Sequence, residues 1–231
     1  MTTTVQGGYR VLRVGEICNL AALRRDKKIS PLALRIYLGC HILAASRIGK
    51  DKHKFTIQEL AQRIGGAGEH EVRQALRDLN QAQVLSFTDT AINFSEKVLP
   101  EATAIADSMG TKPSRPVPMP RYVLRALARH KRPVEVIAAL AQLARLLFKK
   151  GAQIKNTGLV KASWIASVFS ISERTVCAAR QWLISMKILV PKHVSQFVLN
   201  RFGACFIVQL TQKRREEKAT TDDTKDTEVS G

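Results

Sequence analysis

The chain has 231 residues, 45% of them hydrophobic, and 37 Lys and Arg against 19 Asp and Glu, for a formal net charge of +18. That much apolar material suits one large core or two small ones, while a positive surplus of this size concerns partners rather than fold and makes nucleic acid the first candidate. The start, from Met1 to Gly8, lacks a basic region followed by an apolar stretch, and Arg35 and Arg145 interrupt the longest apolar runs, so no signal peptide or membrane span is read and a soluble, cytoplasmic protein is expected.

The first elements are a lead, Val11-Leu12-Arg13-Val14, extended or short-helical, and the apolar Leu20-Ala21-Ala22-Leu23. Ser30 before Pro31 starts a long supporting helix, with Leu34, Leu38, Ile42 and Ala45 at helical spacing. Thr56-Ile57-Gln58-Glu59 is a capping box opening a second helix that ends at Gly65-Gly66. A third helix is expected from Glu69 to Ala82, and Val84–Phe87 and Ala91–Phe94 should pair as a hairpin through Thr88-Asp89-Thr90. Glu96 to Ser108 reads as an amphipathic helix interrupted by Pro100. Residues 109–120 hold four prolines and read as an extended, stiff linker unable to donate a full strand ladder.

Beyond the linker the plan repeats. Tyr122 to Ala128 mirrors the lead, and Pro133 opens an apolar helix through Ile137, Leu140, Ala141, Ala144 and Phe148. Lys161 to Phe169 and Ser172 to Met186 are the next two helices, and Ile188–Val190 and Cys205–Val208 are strands, with Lys192, His193, Gln196, Asn200 and Arg201 in the loop between. The order Leu60 to Ile64, Val72, Leu76, Leu79, Leu85 returns as Ile165 to Phe169, Val176, Arg180, Leu183, Leu189; Val72 and Val176, Leu79 and Leu183, and Leu85 and Leu189 are each 104 positions apart. The expectation is a mainly α fold with small β-hairpins, built as two tandem winged helix-turn-helix domains at 1–108 and 121–210. Residues 211–231 have too little apolar content to pack and read as a disordered tail.

Charge separates the copies. Residues 1–112 carry 16 basic and 11 acidic side chains, residues 113–210 carry 16 basic ones against Glu135 and Glu173 alone, and residues 211–231 carry five against six. The second copy is the cationic one. In Phe169-Ser170-Ile171-Ser172-Glu173-Arg174-Thr175-Val176, Ser172 can cap the third helix while Ile171 and Val176 close a hydrophobic staple, so the helix end is rigidly presented. Such an end suits a DNA duplex: its N–H groups and dipole favour phosphate, and its first-turn side chains reach base edges. Arg174 is the expected base reader, for guanine, with Thr175, Cys177, Ala178, Arg180 and Gln181 along the helix, Ser172 and Lys161 at helix starts, and Lys192 and Arg201 in the wing as phosphate contacts. In the first copy Gly68, Glu69, His70 and Glu71 open the equivalent helix and Asp89 sits at the hairpin tip. Arg63, Arg73 and Arg77 could still hold a backbone, so that copy reads as a weaker DNA contact or a dimerisation surface.

Other features have plain readings. Trp164 and Trp182 face apolar neighbours as core residues, and a 6% aromatic content argues against a single-strand stacking platform. Cys18, Cys40, Cys177 and Cys205 are scattered without metal-ligand spacing, as are His41, His53, His70, His130 and His193. Gly65-Gly66-Ala67-Gly68 lacks the ending of a phosphate loop. No metal, cofactor, small-molecule ligand or catalytic constellation is expected, and the protein does not read as an enzyme.

Ile165-Ala166 through Ser170-Ile171-Ser172-Glu173-Arg174-Thr175-Val176 to Ile188-Leu189 resembles the winged helix-turn-helix of bacterial regulators, with Ser170 where the turn usually has Gly. Lys28-Ile29-Ser30-Pro31-Leu32-Ala33-Leu34-Arg35-Ile36-Tyr37 looks like the entry to winged domains of plasmid and phage replication proteins. Over residues 11 to 210 the architecture is similar to plasmid replication initiators, and this implies one domain for dimerisation and one for repeated origin sites, in a homodimer associated with the nucleoid or a plasmid. A transcription regulator with the same contacts is an alternative, and a winged-helix protein-assembly module a second.

Overall fold

The computed structural model describes residues 8–46, 54–88, 91–150 and 153–211; Asp89, Thr90, His53 and the tail beyond Thr211 lie outside the described residues. The first half runs β1 (Tyr9–Arg13), α1 (Val14–Arg25), α2 (Pro31–Ser46), α3 (Ile57–Ile64), α4 (Glu69–Gln81), β2 (Leu85–Phe87), β3 (Ile92–Phe94) and α5 (Pro100–Ser108). The second runs β4 (Pro116–Pro120), α6 (Arg121–Arg129), α7 (Pro133–Leu146), β5 (Phe148–Lys150), β6 (Gln153–Lys155), β7 (Thr157–Val160), α8 (Ala162–Phe169), α9 (Glu173–Ser185), β8 (Leu189–Lys192), α10 (Gln196–Phe202) and β9 (Ala204–Val208). The described residues are mostly helical with small antiparallel sheets and no barrel.

Helix ends follow the local chemistry. Ser30 Oγ accepts from the Ala33 N–H at 3.1 Å, with Pro31 as first helical residue. Thr56 Oγ1 accepts from the Glu59 N–H at 3.1 Å and Glu59 returns a carboxylate to the Thr56 N–H at 2.8 Å, so the capping box is formed. The chain leaves α3 at Gly65 with φ +67°. Pro100 does not interrupt a helix but starts one: α5 begins at that proline, whose missing N–H costs nothing there. α7 ends before Phe148, which turns into the hairpin β5–β6.

The largest departure concerns residues 109–120. Pro116–Pro120 is strand β4, paired antiparallel with β1 from Tyr9↔Pro120 through Val11↔Pro118 to Arg13↔Pro116, and Val117, Pro118, Met119 and Pro120 are buried. The expected free linker is a core element. Its three strand prolines share one parity, so the donors left in β4 are Val117 and Met119, and a two-stranded ladder needs only alternate residues to donate. Val11 and Pro118 occupy the same place in the two copies and pair with each other, so a local two-fold axis passes between them.

Helix packing obeys that axis. α6 of the second half packs on α2 of the first, and α1 of the first packs on α7 of the second. The side chains of β1, α1, α2, α6, α7 and α9 join one hydrophobic cluster, so the two halves share a core rather than standing as separate domains at 1–108 and 121–210. Arg35, half-buried in α2, fastens the junction: its Nε donates to the Ala128 carbonyl at 2.9 Å and its terminal nitrogen to the carbonyls of Ile64 at 2.6 Å and Gly65 at 3.1 Å. These are helix-end carbonyls that otherwise lack partners.

Candidate nucleic-acid interface

α8, the turn and α9 form the strongest local constellation. Ser170 ends α8 in the left-handed region at φ 52°, ψ 47°, a conformation glycine adopts freely and other residues at a cost of about 1 kcal/mol. The Ile171 N–H then bonds back to the Ala166 carbonyl at 3.0 Å. Ser172 Oγ accepts from the Thr175 N–H at 3.1 Å, as the cap reading requires. Val176 is fully buried and Ile171 packs partly buried against the same cluster. Val176, Ala179 and Leu183 form the inner face of α9, while Arg174, Cys177 and Gln181 are exposed and Thr175 and Ala178 are half-buried beside them.

Arg180 is not on that outer face. Its Nε donates to Gln142 Oε1 at 3.0 Å, another guanidinium nitrogen donates to the Val160 carbonyl at 3.2 Å, and the group lies 5.0 Å from the centre of the Phe206 ring. Burial lowers its pKa from the ordinary guanidinium value. Gln142 is wholly buried in α7 and donates to the Ala138 carbonyl at 3.2 Å and the Val176 carbonyl at 3.3 Å. Arg180 thus ties α9 to α7 and β7 and is withdrawn as a DNA contact. The repeat carried the signal: Arg180 stands where the first copy has the buried Leu76.

β7, β9 and β8 form a three-stranded antiparallel sheet in that order, and the segment between β8 and β9 is not the expected loop but carries α10. Lys192 ends β8, exposed. Lys161 precedes α8 at its N-cap position, exposed and without a capping hydrogen bond, and its Nζ donates to the Asn200 carbonyl at 3.1 Å, which occupies part of its hydrogen-bonding capacity at the end of α10. Arg201 is exposed, its guanidinium 5.2 Å from the Phe202 ring centre and 5.9 Å from that of Phe197. Phe197, 66% exposed, and Phe202 give this basic segment an aromatic edge with no clear sign in the sequence, because a helix as short as α10 leaves little periodicity. Gly203 closes the segment at φ +89°, and a Cβ there would sit 2.5 Å from backbone atoms of Lys161 and Val160. Gly203→Ala should therefore lower stability by about 2–4 kcal/mol, through strain and backbone displacement; urea unfolding checks this, and an unchanged midpoint would show that the end of α10 is not seated on the start of α8.

In the first half Arg63, Arg73 and Arg77 are exposed on α3 and α4, with Glu69 and His70 exposed at the start of α4. Glu71 caps its own helix by accepting from the Gly68 N–H at 2.8 Å. The Lys54↔Ala91 bridge and the β2–β3 pair repeat the second half's sheet in reduced form.

Of the two carboxylates among residues 113–210, Glu173 is exposed in the first turn of α9. Glu135 is buried; burial pushes its pKa up, but its bonds to Arg132 at 2.9 Å and His130 at 2.8 Å outweigh this and hold it below the usual value. The basic side chains are not all at the helix end: Arg125 and Arg129 are exposed on α6, and Lys149 and Lys155 on the β5–β6 hairpin. Trp164 and Trp182 are half-buried, the first beneath the Arg145 guanidinium at 5.2 Å and the second 4.3 Å from the His130 ring.

Cys18 and Cys40 are buried, and burial raises the Cys18 thiol to about 12; Cys177 is exposed and Cys205 half-buried. No group of His, Cys, Asp and Glu among the described residues could hold a metal ion, and no described helix is long and apolar enough to cross a membrane. Comparison of the chain with protein-family models, with curated proteins and with solved structures finds no match.

Proposed function

We propose that the protein binds double-stranded DNA in a sequence-specific manner through its second half, acting in replication initiation or maintenance of a plasmid- or phage-like element. The observation that carries this reading is the end of α9: capped by Ser172, anchored through Val176, and presenting Arg174, Thr175, Ala178 and Gln181 outward beside a single carboxylate, Glu173. A helix end of this kind offers N–H groups and a positive dipole to phosphate while its first turns reach base edges.

The order β7, α8, α9, β8, α10, β9, with β7 beside β9 in one sheet, supports reading the second half as a winged helix-turn-helix, and α3, α4, β2 and β3 support a shorter version of it in the first half. Both halves therefore enter the proposal as winged units, fused about the β1–β4 axis into a pseudo-dimer within one chain. The first half, with Glu69 at the start of α4, is the weaker DNA contact; Arg63, Arg73 and Arg77 would touch phosphate only.

Selection from random duplexes tests the reading, and the position of the selected sequences, in repeats beside an origin or within promoters, separates replication from transcription control. Lys192→Ala and Arg201→Ala should each reduce the slope of log affinity against log salt by about one, if each neutralises a phosphate. Salt slopes equal to that of the unaltered protein would remove the wing from the interface. Binding that is weak and indifferent to Arg174 would favour a protein-assembly role instead.

A further inference from the structure

A groove of about 370 Å³ opens between α6 and the carboxyl-terminal end of α9, lined among others by Tyr122, Arg125, Arg129, Trp182 and Met186. Its counterpart in the first half is filled. α1 and α6 begin 107 residues apart, so Gly15, Cys18, Asn19 and Ala22 correspond to Tyr122, Arg125, Ala126 and Arg129. α4 and α9 are offset by 104, so Asp78 and Ala82 correspond to Trp182 and Met186. On the first-half surface lie residues 95–99 and helix α5. Asn19 holds the Lys97 carbonyl at 2.8 Å and the Leu99 N–H at 2.9 Å, Val98 comes within 2.9 Å of where a Gly15 Cβ would stand, and α5 buries Ala102, Ile105 and Ala106.

The second half starts the same path and does not complete it among the described residues. The Gln209 N–H bonds to the Ile188 carbonyl at 2.9 Å, as the Ser95 N–H bonds to that of Val84 at 3.0 Å, and the Tyr122 hydroxyl donates to the Gln209 carbonyl at the mouth of the groove. Residues 212–231 contain Ala219 and Val229 as their only apolar side chains, too few for the Ala102, Ile105, Ala106 and Met109 stripe of α5. Among the described residues α6 buries only one face, whereas α1 is buried nearly all round.

We propose that this groove is the seat for a helix of a partner protein, shaped like α5, with small apolar residues on one face and carboxylates flanking them. The apolar contacts are offered by Trp182 and by Met186, which is 49% exposed. The charge requirement follows from the replacement of Cys18 and Ala22 by Arg125 and Arg129, two exposed cations one helical turn apart that have no ion pair among the described residues. A concave seat walled by an indole and a thioether fits a helix better than the convex backbone of a duplex.

A synthetic peptide with the sequence of residues 95–109 is the probe; it carries the apolar stripe with Glu96, Glu101 and Asp107 against Lys97. Titrated into the full chain, it should shift Trp182 emission to the blue with saturation, read as a difference spectrum and again in Trp164→Phe, where Trp182 is the sole tryptophan. Arg125→Glu combined with Arg129→Glu should weaken peptide binding at least about tenfold, equivalent to about 1.4 kcal/mol, and Arg174→Ala should leave it unchanged. No shift up to about 1 mM peptide, a range that corresponds to roughly 4 kcal/mol of binding, would overturn the proposal, as would equal affinity in the charge-reversed variant. Neutralising the six carboxylates that follow Thr211 in the full chain should not move the emission of the free protein. A red shift there would assign the seat to the chain's own tail, and competition by duplex DNA for the peptide would assign it to nucleic acid; either result overturns the partner-helix proposal.

Discussion

Arg174→Ala should cost about 1–3 kcal/mol of affinity for the selected duplex and relax preference at one base pair, with the remaining positions of the site unaffected. Arg174 is the second residue of α9, exposed, with its backbone held by the Ser172 cap and the helix anchored by Val176 one turn on. A side chain mounted on so rigid an end loses little orientational freedom on binding, so its fork can discriminate guanine from the other bases rather than add charge alone. Comparing base preferences of the two proteins at fixed salt checks this. A loss of affinity spread evenly over all sequences would make Arg174 a phosphate contact and move base reading to Gln181 or Thr175.

Arg180→Leu should act on the fold, lowering stability by about 2–3 kcal/mol and the melting temperature by roughly 5–10 °C, since it strips charged hydrogen bonds from the buried Gln142 oxygen and the Val160 carbonyl. Base preference should be unchanged at a temperature where both proteins are folded. The first half contains the apolar version of the same junction: counted from the prolines that open α2 and α7, Gln142 corresponds to the buried Cys40, and Arg180 corresponds to the buried Leu76. Transplanting that pair, as Arg180→Leu with Gln142→Cys, should recover more than half of the lost stability, because the Gln142 amide is then no longer buried without its guanidinium partner and only the Val160 carbonyl still loses a bond. Thermal unfolding of both single variants and the double variant closes the cycle. Additive losses would show that Arg180 and Gln142 act independently.

The ends of several helices are legible in the sequence because their signals are local. Ser30-Pro31, the Thr56 and Glu59 box, Gly65 and the Ser172 cap act within four residues, and the structure has each of them. The reading failed where a short-range rule was pressed too far. Pro100 starts a helix instead of interrupting one, since proline is favoured at the first helical position, and α10 gives no local sign because a seven-residue helix leaves little periodicity to detect. Arg180 was read by its charge alone, while its place in the repeat already put it on the buried side of α9 beside Val176, Ala179 and Leu183.

Periodicity, caps and the 104-residue repeat were enough to indicate two similar helical units, the starts of α2, α3, α4, α7, α8 and α9, and the concentration of positive charge in the second half. How the units meet was beyond them. The pairing of β1 with β4, the reciprocal docking of α6 on α2 and α1 on α7, and the open seat beside α6 all join residues about a hundred positions apart. No local pattern encodes such contacts: they arise from burying complementary apolar faces once both halves have formed, and a proline-rich stretch becomes a strand only when a partner strand lies alongside it.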